Sequence, residues 1–92
     1  MIVRIATEGQ FELDEGNAQE LRELDQKAVD QCAAGDEEVF RATFAQMLAL
    51  IRSHGRQLAE DHLVPSDVIL PPPDVSFQEA RGGFSGEGLI PD

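Results

Sequence analysis

The chain has no tryptophan, no tyrosine and one cysteine, Cys32, among its 92 residues. Its core therefore has to come from aliphatic side chains and five phenylalanines. A lone thiol excludes an intramolecular disulfide framework and suits a reducing cytosol. No apolar run approaches the roughly 20 residues that a spanning helix needs. No basic start followed by an apolar stretch marks a secretory leader. Positive charge is scarce: seven Lys and Arg stand against eighteen Asp and Glu, for a net charge of −11. Such a chain repels nucleic-acid phosphates but can attract a basic protein. Acid is missing from the middle. Residues 39–59 hold three arginines and no carboxylate, a net of +3 between flanks of −8 and −6.

Motifs for chemistry are missing too. There is no G-x-S-x-G setting for a nucleophilic serine, and no phosphate-cradling glycine pattern. His54 and His62 lie eight residues apart and fit no zinc spacing, so both are expected to be solvated. Cys32 has no C-x-x-C mate and falls on an apolar helical stripe, where it reads as a small core residue. No pair of carboxylates is set apart for acid–base work. No catalytic, cofactor or metal residue is therefore assigned.

What is present reads as a small α+β domain spanning 1–92. Residues 1–13, MIVRIATEGQFEL, alternate as a β-hairpin. A three-residue Thr7–Gly9 loop would set Ile5 opposite Phe11 and Arg4 opposite Glu12. That places Val3, Ile5, Phe11 and Leu13 on one face. Residues 15–54 predict an antiparallel helical hairpin. Its first helix starts at Asp14 or at an Asn17–Glu20 capping box and carries Ala18, Leu21, Leu24, Ala28 and Cys32 on one stripe. Gly35 stops it and Asp36 caps the second helix. Phe40, Phe44, Met47 and Ile51 centre that helix's apolar face. Val39, Leu48 and Leu50 widen the face to about half the circumference. Asp25 falls inside the first helix's apolar arc and is expected at its rim, paired with an arginine. Arg41, Arg52 and Arg56 are expected to pair with the acidic flank of the first helix.

A face so wide needs several neighbours. Residues 63–92 are the remaining candidate. LVPSDVILPPPDVSF holds four prolines and seven apolar side chains, so it is neither a regular helix nor a solvated linker. It should lie extended across the second helix as a clamp. A turn is expected at Pro65–Asp67, a short third strand near 68–70 pairing with the hairpin, and polyproline II at Pro71–Pro73. Ser76 and Glu79 form a capping box for a short final helix ending at Gly82-Gly83.

Taken together, MIVRIATEGQFELD, LRELDQKAVDQCAAGDEEVFRA, LVPSDVILPPPD and GEGLIPD resemble the PspA-associated family PspAA, in order and over nearly the whole chain. SFQEARGGFSGEG is richer in glycine than the family's final helix. The resemblance implies a non-enzymatic component of a phage-shock-type envelope stress system, without cofactor. Its partner would be PspA, a long helical, membrane-remodelling protein encoded beside it. The expected function is an interaction module that binds a PspA-like protein and modulates the membrane stress response. The alternative is a free-standing acidic regulator that sequesters another basic protein. Glu20, Glu23 and Asp30, acidic residues away from the stripe of the first helix, are the expected partner-binding residues. The expected location is cytoplasmic, with recruitment to the inner face of the membrane through the partner and no insertion. The sequence leaves self-association open.

Overall fold

The computed structural model describes residues 1–62 and 64–90; Leu63, one of the clamp's seven apolar residues, lies outside them. The described elements are strands β1 (Ile2–Ile5) and β2 (Gly9–Glu12), helices α1 (Glu15–Ala34) and α2 (Glu37–His54), strands β3 (Arg56–Gln57) and β4 (Val68–Leu70), and helix α3 (Phe77–Gly83). The sheet is mixed, in the order β3-β2-β1-β4. β1 runs antiparallel to β2 and parallel to β4. The third strand expected near 68–70 is therefore present. β3 is an addition that no two-residue sequence pattern could have announced.

The hairpin keeps the expected faces in a different register. Val3 sits opposite Phe11 and Arg4 opposite Gln10, with Ile5 opposite Gly9. The loop is therefore Ala6–Glu8, closed by Glu8 N–H donating to the Ile5 carbonyl at 2.9 Å. Thr7 takes the left-handed position at φ 76°. A slip of two residues preserves the period-2 faces, so Val3, Ile5, Phe11 and Leu13 are all buried while Arg4 and Glu12 are exposed. The expected Arg4–Glu12 pair does not form.

Capping follows short polar side chains. Asp14, not Asn17, caps α1, its carboxylate accepting from Asn17 N–H at 2.9 Å. Gly35 closes α1 at φ 74°, where a Cβ would be strained. Asp36 caps α2 and Ser76 caps α3, with Ser76 Oγ also donating to Glu79 at 2.9 Å. α3 ends at Gly83, where the sequence placed it.

α2 is the centre of the core. Phe40, Met47 and Ile51 are fully buried and Phe44 nearly so. Val68, Leu70 and Val75 are buried in the same cluster, with Phe77 half-buried against it. Phe84 is buried between the rings of Phe40 and Phe44, at centroid distances of 5.3 and 6.0 Å. The C-terminal third thus supplies a whole side of the core.

Two details of that segment differ from expectation. Gln10 donates to the Val64 carbonyl and to Ser66 Oγ, and Asp67 binds the Ile2 N–H at 2.7 Å. Residues 64–67 are therefore stitched along the sheet, not folded into a turn at Pro65. The triple proline ends in a turn of its own, closed by Val75 N–H donating to the Pro72 carbonyl at 3.0 Å. Pro73 there takes the turn position that its fixed φ suits.

Asp25 is the largest correction. Among the described residues it has no arginine partner, and it is only 1% exposed. Its two carboxylate oxygens accept from the N–H groups of Leu89 and Ile90, at 3.2 and 3.1 Å. Gly88 approaches so closely, at φ 87°, that a Cβ there would overlap the carboxylate. A buried carboxylate is costly unless hydrogen bonded. Burial raises the Asp25 pKa above the ordinary value, against the opposing pull of the two N–H donors.

The Asp25 contact and the C-terminal cover of the core are both open to test. Asp25→Ala orphans two buried N–H groups and should cost about 2–4 kcal/mol in denaturant unfolding. The raised pKa means that the folded state holds the proton more tightly than the unfolded chain. The stability tied to Asp25 is thus fullest below the ordinary carboxylate range and declines as pH rises through the raised value. Relative to Asp25→Asn, the wild-type melting temperature should therefore gain between about pH 7 and about pH 4. A pH-independent difference would contradict the assignment. Truncation after His62 strips β4, Phe84 and Ile90 from the core. It should abolish the cooperative melt or cause aggregation.

Candidate interaction surface

Glu20, Glu23 and Asp30 are all exposed on α1. None of them has an ion pair or a side-chain hydrogen bond among the described residues. The reason lies in the arginines, whose destinations correct the sequence-based expectation. Arg52 forms a two-pronged bond to Glu8 in the hairpin loop, Nε reaching Oε1 at 2.9 Å. Arg56 reaches Glu12 on β2 at 2.6 Å. Arg41 stays on its own helix, 3.7 Å from Glu37. The basic residues of the α2 region thus turn to the hairpin or to their own first turn; Arg22 of α1 pairs with Glu15 at 3.5 Å, and Glu20, Glu23 and Asp30 are left without an ion pair among the described residues.

These pairs act on titration as geometry requires. The guanidinium of Arg52, mainly through its hydrogen bonds, holds the Glu8 carboxyl below the usual range. Arg56 does the same to Glu12. Both contacts fasten α2 and the strand after it to the hairpin. They are surface pairs and contribute modestly to stability.

Lys27 lies between Glu23 and Asp30 along α1 and is exposed. The flank is therefore acidic but not uniform. Asp25, in the middle of the same helix, faces inward and belongs to the C-terminal contact.

The residues weighed for chemistry remain apart. His54 and His62 are both exposed, and among the described residues no group of three or more His, Cys, Asp or Glu side chains converges as a metal site. Cys32 is buried, and that burial raises its pKa and keeps it the less reactive thiol. No described helix is long and apolar enough to cross a membrane.

The acidic flank was visible in the sequence as charge on the far side of an apolar stripe. That it would be left unpaired was not, because the arginine partners lie forty-four positions earlier in the chain.

No curated protein and no solved structure matches the chain. The family described as PspA-Associated protein does, over residues 1–92. The chain belongs to the PspAA family of PspA-associated proteins.

Proposed function

We propose that the protein is a non-enzymatic interaction module that binds a PspA protein and modulates the membrane stress response in which PspA acts. The observation that carries this reading is the exposure of Glu20, Glu23 and Asp30 on α1 without an ion pair among the described residues, in a chain whose family is described as PspA-associated. Glu20, Glu23 and Asp30 are the residues through which a basic surface on the partner is recognised. Opposite charges steer encounter and set register more than they set final affinity. On this reading the protein is cytoplasmic and reaches the inner face of the membrane by way of its partner. No cofactor takes part.

The test is titration of the full chain with PspA from the same organism. Binding should weaken from low to high salt, because screening shortens the reach of exposed charges. Charge reversal at Glu20, Glu23 and Asp30 should lower the low-salt affinity and flatten the salt dependence, with the melting temperature held. If a different basic protein is captured and PspA is not, the protein is instead a free-standing acidic regulator.

A further inference from the structure

Beside the acidic flank runs a groove of about 350 Å³ between α1 and α2. Half-buried Leu24 and buried Leu50 form its apolar floor, Glu20 stands on the α1 side, and exposed Ala49 and Ser53 line the α2 side. Along α2 the exposed face carries no charge at Ala42, Ala45, Gln46, Ala49 or Ser53. By helical spacing the face continues to Val39, a large apolar side chain left 44% exposed.

We infer that this groove seats one amphipathic helix of the partner, basic on the edge that faces α1. The inference rests on the reading proposed above and adds the form of the ligand. Three points carry it. The floor is apolar and lined by side chains, with no strand edge in reach. An extended peptide laid there would leave its N–H and C=O groups unpaired, whereas a helix satisfies them internally. Two antiparallel helices offer the trough into which the side-chain ridge of a third helix packs. The charge is one-sided: Glu20 lines the groove on α1 and Glu23 follows three residues on along the same helix, both exposed and without an ion pair among the described residues, while the α2 border is neutral until His54. Lysines or arginines three or four residues apart on the incoming helix match that spacing. Exposed Lys27, one turn further along α1, sets the direction, since the basic edge has to lie towards the start of α1.

The competing surface is Ile69, 61% exposed on β4 above a second apolar hollow. β4 is three residues long and followed directly by three prolines, a common way of blunting an edge strand against pairing.

Ala49 is exposed, so enlarging it fills the groove without touching the core. Ala49→Trp should weaken binding of the full chain to PspA by roughly tenfold or more. The loss should be equal at low and high salt, with an unchanged melt. Ile69→Glu should bind within about twofold of wild type, as expected for a surface outside the contact. Undiminished affinity in Ala49→Trp is the decisive contrary result: if the enlarged residue at position 49 leaves binding intact while wild-type PspA binding is clear, the groove is not the seat and the interaction reading stands. A loss found instead in Ile69→Glu moves the contact to the sheet edge and overturns the groove. If wild type binds no PspA at any salt, both readings fall.

Discussion

The apolar face of α2 is the constraint from which the rest of the structure follows. It spans about half the helix by the 3.6-residue period. No one neighbour of ordinary width can cover it. α1 takes one side, the sheet face of Val3, Ile5 and Phe11 takes another, and the chain beyond β4 supplies the third through Val75 and Phe84. The aromatic contacts concentrate there. Phe40 stacks on Phe44 at 5.7 Å and meets Phe77 and Phe84 edge-on or tilted, the arrangements that ring quadrupoles favour. A domain of this size buries a limited fraction of its surface, so each of the three covers matters to the whole.

Closing that core fixes the surface electrostatics. Folding the hairpin over α2 brings Glu8 and Glu12 to Arg52 and Arg56. Two of the three cations of the basic middle are thereby consumed on the sheet side, and Arg41 pairs with Glu37 on its own helix. Glu20, Glu23 and Asp30 of α1, on the far side of its apolar stripe, meet none of these arginines and have no ion pair among the described residues. An exposed acidic face on α1 and an uncharged face of α2 beside it are thus by-products of how the core is closed. The same logic places Asp25 inward. It lies among the stripe residues by helical phase, and the returning segment at Leu89 and Ile90 supplies the donors that its burial demands.

What could be read from the sequence was periodic or local. Faces of the hairpin, the stripe of α1, the width of α2, the caps at Asp36 and Ser76 and the strand at 68–70 all follow from patterns of two, three or four residues. The errors have two physical origins, an unannounced local backbone conformation in the hairpin and, for Asp25 and the arginines, dependence on a distant partner. The hairpin register hinged on a loop with a threonine at positive φ, which residue type does not announce. Asp25 looked like a rim residue because its donors are backbone N–H groups sixty-four and sixty-five positions away. The arginines looked like partners for α1 because sequence shows charge but not which face of the core a strand will cover. Glu20, Glu23 and Asp30 were legible as exposed acids; their lack of partners required the fold.

Amide hydrogen exchange on the intact chain addresses the central claim directly. If the C-terminal third is one of three covers of α2, the N–H groups of Leu89 and Ile90, bound to Asp25, should open only with the global unfolding that exposes Phe40 and Phe44. Their protection should then equal that of the α2 amides. Exchange of Leu89 and Ile90 far faster than α2, with α2 still fully protected, would show that the helix holds its structure without that cover and would contradict the account.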